Sequence, residues 1–246
     1  MIKDYGTIVL VKGTSGSGKS TRVYCFLDFL ESIGVEFQPY RWVNSEGKEK
    51  EVGVYVPEFN LIVIGKFYEN QGVRRWQGLD SVTSRFVNSA GVSDFLKEVG
   101  MKRMNVLLEG AGTSVSWRLR PMELIAVCEF MNILYVRYDF TEKEHEEYYD
   151  RVVYRSGKPP KGDAMWHKRS GFESDIAKSR EEAALLNAEG ANVVIKEEAY
   201  SSPVWDLGCS IFEFFGVPEI CGEFREYVNK GNYINQNRYA EQNNPE

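Results

Sequence analysis

Histidine is nearly absent: His145 and His167 are the only two. That scarcity argues against an imidazole-built zinc site and against a Ser-His-Asp relay. Cysteine is also sparse. Cys25, Cys128, Cys209 and Cys221 lie far apart with no C-x-x-C, the pattern of reduced thiols in a cytosolic protein and not of a disulfide framework. No apolar run approaches the roughly 20 residues of a membrane-spanning helix. Met1-Ile2-Lys3-Asp4-Tyr5 leads almost at once into an apolar strand, which is not the signature of a signal peptide. The expected compartment is the cytoplasm. An excess of positive charge is missing as well, since 30 Lys+Arg face 36 Asp+Glu for a net charge of −6. Contact with nucleic acid would therefore need a local basic patch. What remains is an ordinary globular composition, 43% hydrophobic and 27% charged over 246 residues, a length suited to one α/β domain with insertions.

The most informative stretch is Gly13-Thr14-Ser15-Gly16-Ser17-Gly18-Lys19-Ser20-Thr21. It fits G-x-x-x-x-G-K-[ST], the P-loop pattern. Thr7-Ile8-Val9-Leu10-Val11 before it reads as a buried strand. Val23, Phe26, Leu27 and Leu30 after it repeat at helical spacing as far as Gly34. Strand, glycine loop and helix form the context that gives the motif meaning. Small residues let backbone N–H groups surround an anion, and the helix N-terminus adds its dipole. Lys19 is placed to reach the β- and γ-phosphates of a nucleotide and the Ser20 hydroxyl to join Mg²⁺.

The remaining chain alternates strands and helices. A hairpin with a charged tip occupies about residues 35–57, and Leu61-Ile62-Val63-Ile64 is the second core strand. A loop rich in Gly, Arg and aromatics runs from Lys66 to Asp80, and Ser81–Val99 reads as a helix that Gly91 can break. The third core strand ends in Glu109-Gly110, Met122–Met131 reads as a helix, and the fourth strand is Ile133–Tyr138. Capping boxes at Thr141–Glu144 and Ser170–Glu173 open two more helices. Between them a basic Gly/Pro loop completes a lid over about residues 151–170. Asn192–Ile195 is the fifth strand and Trp205–Phe215 the closing helix. The folded unit is thus 1–221, and 222–246 reads as a polar, loosely held tail. The alternation predicts a doubly wound sheet of five parallel strands, with an inserted β-hairpin and a helical lid. Ligands in such sheets lie at the carboxyl ends of the strands.

That rule gathers further candidates around one crevice. Asp80 stands at a helix start, where it either caps the helix or takes the proton of an acceptor hydroxyl. Glu109 ends the strand beside the P-loop, a position from which to hold Mg²⁺ directly or through water. Arg151 and Arg155, at i and i+4, suit a lid that clamps phosphate. Arg118 and Arg120 are further candidates for an acceptor phosphate. Arg74, Arg75 and Trp76 mix cations with an aromatic, which suits base stacking and backbone neutralisation. Trp76 could equally pack over the sheet edge.

This order of P-loop, third-strand acid and two lid arginines resembles the nucleoside monophosphate kinase superfamily, over most of Thr7–Phe215. Within it the chain is similar to bacteriophage P-loop kinases that phosphorylate 5-hydroxymethyluracil in DNA. The shared pattern is Gly13–Ser20, Ile64-Gly65 with Phe67, Gly78-Leu79-Asp80 and Glu109-Gly110. The resemblance implies a fold of P-loop kinase type, ATP and Mg²⁺ as cofactors, and DNA bearing a modified pyrimidine as partner. It also implies the cytoplasm of an infected cell as the setting. A free nucleotide or nucleoside remains an alternative acceptor. A P-loop ATPase driving a partner is the alternative of another class, against which stands the lack of a guanine motif or a second ATPase signature.

Overall fold

A computed structural model describes residues 5–13, 17–44, 46–70, 73–77, 86, 89–109, 125–127, 129–139, 144, 169–189, 192–199 and 201–231. For 66–70, 73–77, 89–90 and 169–175 the description is of the backbone. Nine strands lie among these residues: β1 Gly6–Gly13, β2 Gln38–Val43, β3 Glu49–Val56, β4 Leu61–Ile64, β5 Lys66–Asn70, β6 Val73–Gln77, β7 Asn105–Glu109, β8 Met131–Asp139 and β9 Val193–Ala199. The helices are α1 Lys19–Ser32, α2 Ser89–Met101, α3 Arg169–Glu189, α4 Asp206–Phe214 and α5 Cys221–Asn229.

Seven strands form one sheet in the order β2-β3-β4-β7-β1-β8-β9. From β4 to β9 neighbouring strands run parallel. The expected five parallel strands are therefore part of a larger, mixed sheet. The hairpin β2–β3 joins it antiparallel at the β4 edge instead of standing apart. Its inward residues Trp42, Val52, Val54 and Val56 are buried, so extending the sheet removes apolar surface that a free hairpin would leave in water.

Helices cover both faces, and the alternation of β1 shows why. Ile8 and Leu10 point to one face, which α2 covers with Val92, Phe95, Leu96 and Val99, and α3 with Ala183 and Leu186. Val9 and Val11 point to the other face, against α1, α4 and α5. There Phe26, Phe29, Phe212 and Phe224 interlock, with ring centroids of Phe29 and Phe224 5.0 Å apart.

Three boundaries differ from the sequence reading. α2 runs unbroken through Gly91, and its described part begins at Ser89. Residues 66–77, read as loop, contain the hairpin β5–β6. The chain stays in the fold beyond residue 221, because Phe224 and Val228, at i and i+4, bury against α1 and α4. Gly208 permits this contact: a Cβ there would lie 2.1 Å from the Phe224 ring. Residues 232–246 of the expected tail lie outside the described residues. No described helix is long and apolar enough to cross a membrane.

Candidate active site

β1 sits between β7 and β8, so the chain crosses over it between the two halves of the sheet. In such a sheet the place for a ligand is at the carboxyl ends of the strands, where the order reverses. β1 delivers Gly13 to that edge, and β7 delivers Glu109 beside it in register with Val11. α1 begins at Lys19, immediately past the loop.

Three side chains meet there. The Lys19 ammonium lies 3.6 Å from Glu109 Oε1, and both groups are buried. The Ser20 hydroxyl donates to Glu109 Oε2 at 3.0 Å. Lys19 is therefore not a loop residue reaching outward but the first residue of a helix, its charge held against an acid on the neighbouring strand. Gly18 enters α1 with φ of 76°, in the left-handed region, where a side chain would be strained. Among the described residues no side chain caps the first turn of α1, and that turn holds no acidic residue. Its backbone N–H groups and dipole are thus suited to an anion. Gly13 and Ser17 close on one another: a Cβ on Gly13 would stand 2.8 Å from Ser17 Oγ. That hydroxyl is buried with no hydrogen-bond partner among the described residues.

The donor set fits a phosphate with a hard divalent cation. A hydroxyl and a carboxylate oxygen within contact would suit Mg²⁺, a hard cation that takes oxygen ligands. Among the described residues no group of three or more His, Cys, Asp or Glu could hold a metal ion, so protein ligands alone form no such cage there.

A second cluster behind the loop escaped the sequence reading. Arg22 is buried on α1, three residues past Lys19. It donates to Ser17 O at 3.0 Å, to Asp206 Oδ1 at 3.1 Å and to Ser202 O at 2.6 Å. Its guanidinium carbon lies 4.2 Å from the centre of the Tyr138 ring, and the Tyr138 hydroxyl also donates to Asp206 Oδ1, at 3.0 Å. Burial pushes the Asp206 carboxyl up from its ordinary value, while Arg22, Tyr138 and the Leu207 N–H pull against that shift. Neither residue stands out in the sequence, since α1 also carries Lys19, Asp28 and Glu31 and α4 also carries Glu213, and no local pattern marks Arg22 and Asp206 as partners. Their separation of 184 residues hides the pairing.

The other predicted residues fall into two groups. Thr21 lies in α1 beside Ser20. Arg74, Arg75 and Trp76 lie on β6, in register with Glu69, Tyr68 and Phe67 of β5. Strand alternation puts Arg74 and Trp76 on one face of that hairpin and Arg75 on the other. Thr14, Ser15, Gly16, Asp80, Arg118, Arg120, Arg151 and Arg155 lie outside the described residues. Cys25, Cys209 and Cys221 are buried free thiols, with Cys209 pushed up to about 12, chiefly by burial. A thiol so hard to ionise as Cys209 is a poor nucleophile.

An α/β sheet with a strand, a glycine turn and a helix converging on a buried lysine, serine and acid defines a phosphate-handling class of protein. The chain belongs to the 5-hmdU DNA kinase 2 family, whose profile matches residues 5–213. A curated relative, the 5-hmdU DNA kinase 2 of Salmonella phage ViI, is 26% identical over 195 residues, 77% of this chain and 60% of that protein. The chain thus spans about 60% of the length of that relative. Among solved structures, an unliganded sugar kinase from a Janibacter species shares 13% identity at a TM-score of 0.38, covering 87% of this chain and 98% of the other.

Proposed function

We propose that the protein transfers the γ-phosphate of ATP to a hydroxyl group, and that the acceptor is the 5-hydroxymethyl group of 5-hydroxymethyluracil in DNA. The observation that carries this reading is the contact of Lys19 and Ser20 with Glu109 at the carboxyl edge of the sheet, in a chain that belongs to a family of DNA kinases.

In this reading the backbone from Gly13 to Thr21 cradles the phosphates. Lys19 turns from Glu109 toward the β- and γ-phosphate oxygens, where its charge opposes the charge of the transferring group. Ser20 and Glu109 would hold Mg²⁺, whose charge would neutralise phosphate charge. The acceptor hydroxyl oxygen forms the new bond to the γ-phosphorus, the bond to the β,γ-bridging oxygen breaks, and ADP leaves. The hydroxyl proton passes to Asp80, the general base. Arg151 and Arg155 close over the transferring phosphate, excluding water that would otherwise hydrolyse ATP. The DNA is held at the β5–β6 hairpin, one face of which carries Arg75 and the other Arg74 and Trp76, since a base must leave its duplex stack before its hydroxymethyl group can enter the site. Arg118 and Arg120 supply further phosphate contacts.

Labelled γ-phosphate transfer tests the proposal with three acceptors side by side: 5-hydroxymethyluracil DNA, the same DNA with thymine, and free deoxynucleotides. Label in the first alone is the expected result. Rapid label transfer to free deoxynucleoside monophosphate would move the acceptor to the nucleotide pool. Hydrolysis without transfer to any acceptor would make the protein an ATPase.

A further inference from the structure

We infer that Arg22 is a positioning residue that sets the phosphate-binding loop from behind, by fixing the direction of the Ser17–Gly18 peptide. The inference rests on the proposed ATP-binding role of that loop.

In a trans peptide the carbonyl and the following N–H point in opposite directions. Arg22 Nη1 donates to the carbonyl of Ser17 at 3.0 Å. With that oxygen held toward α4, the Gly18 N–H is turned to the opposite side, the side from which an anion approaches the helix end. The Arg22 backbone adds a second hold, its N–H donating to Gly18 O at 3.0 Å. Consecutive carbonyls leading into α1 are thereby tied to one residue.

The guanidinium is itself fixed on its other sides. Asp206 Oδ1 at the start of α4, Ser202 O after β9 and the Tyr138 ring at the end of β8 occupy its remaining edges and one face. Asp206 supplies the opposing charge, so Arg22 is a holder of geometry more than a source of attraction for phosphate. Space for the hold comes from Gly18, where a Cβ would stand 2.8 Å from Arg22 Nη1. Glycine at that position thus serves two needs, its positive φ and the close approach of the arginine. A planar fork with five donors can serve three separated acceptors, and a lysine ammonium on the same helix cannot match that spread.

This distinction supplies the test. MgATP binding is titrated calorimetrically without acceptor, alongside thermal melting, for the wild type, Arg22→Ala and Arg22→Lys. Lysine keeps a cation beside Asp206, so Arg22→Lys should recover much of the melting temperature lost in Arg22→Ala. Its affinity for MgATP should stay roughly tenfold or more below wild type, as for alanine, because the Ser17 carbonyl is released. In single turnover each variant should be slowed by about 10²-fold, the size of effect that small misplacement of reacting groups produces. A folded Arg22→Lys that binds MgATP like the wild type would overturn the inference and leave the ATP reading standing. Affinity that returns in step with melting temperature would overturn it equally, as would failure of both variants to fold, since the arginine would then serve the fold itself. A wild type that does not bind MgATP would overturn the ATP reading, and this inference with it.

Discussion

The phosphate end of the crevice and the β5–β6 hairpin are built on different principles. At the phosphate end each charge has a fixed partner. Lys19 meets Glu109, Arg22 meets Asp206, and the side chains of all four are buried. The hairpin offers Arg74, Arg75 and Trp76 on a strand pair with no place in the main sheet. Charges at the first end are desolvated, and there a displaced group alters both stability and chemistry. Charges offered to a nucleic-acid backbone act additively and are screened by salt. The contrast teaches that a substitution at the phosphate end should change the rate of reaction, whereas one on the hairpin should change affinity by modest, salt-dependent steps.

The sharpest way to break this contrast is Lys19→Met. The buried stem is kept and the charge removed, so phosphoryl transfer should fall by about 10³-fold or more, measured as initial rate, with a melting curve confirming the fold. Transfer near the wild-type rate would remove Lys19 from the chemistry. Glu109→Gln comes next. It keeps the shape and loses the negative charge, and the Mg²⁺ concentration for half-maximal rate should rise by roughly 10- to 100-fold. An unchanged midpoint would leave Glu109 a purely structural partner of Lys19.

The hairpin prediction is smaller. Because β6 places Arg74 and Arg75 on opposite faces, a single DNA strand lying along one face should meet only one of them. Arg75 shares its face with Lys66 and Tyr68, and Arg74 is in register with the acidic Glu69. Arg75→Ala should therefore flatten the salt dependence of DNA binding by about one unit, and Arg74→Ala by much less. Equal slopes for the two variants would contradict the two-faced hairpin.

The smallest effect is expected far from the crevice. Glu98 accepts from Lys102 Nζ at 2.6 Å and from Trp42 Nε1 at 2.9 Å, and the Lys102 hydrogen bond is the main cause that holds its carboxyl below the ordinary range. A carboxyl lowered by folding adds stability above its unfolded pKa, and that share is lost as pH falls through the folded value. The wild type should melt slightly higher than Glu98→Gln at neutral pH, and the gap should close below about pH 4. A gap that widens in acid would reverse the sign.

The two regions also differ in how far the sequence discloses them. The strand before the loop, α1 and Glu109 are legible because their signals are local: an apolar run, a glycine pattern, a helical spacing, an acid at a strand end. The alternation of strands and helices gives the α/β class for the same reason. Arg22 and Asp206 are illegible because their meeting depends on how α4 returns to α1, across most of the chain. The hairpin was hidden by its polar residues, although Lys66–Asn70 and Val73–Gln77 are separated by only two residues, Gln71 and Gly72, a spacing that suits a tight turn. α5 was hidden because Gly222 and the charged residues around it dilute a stripe of just Cys221, Phe224 and Val228.

The central claim is that phosphate handled at the Lys19 end is delivered to a base hydroxyl in DNA. The most direct measurement is mass analysis of nucleotides after the protein has acted, with ATP, on DNA containing 5-hydroxymethyluracil, and after that DNA has been digested by nucleases to mononucleotides without phosphatase. The account predicts a 5-phosphomethyl-deoxyuridine monophosphate, with one phosphate on the sugar and one on the base, that is absent with Lys19→Met. A digest in which every 5-hydroxymethyldeoxyuridine remains unphosphorylated on its base, while the wild type consumes ATP, would contradict it.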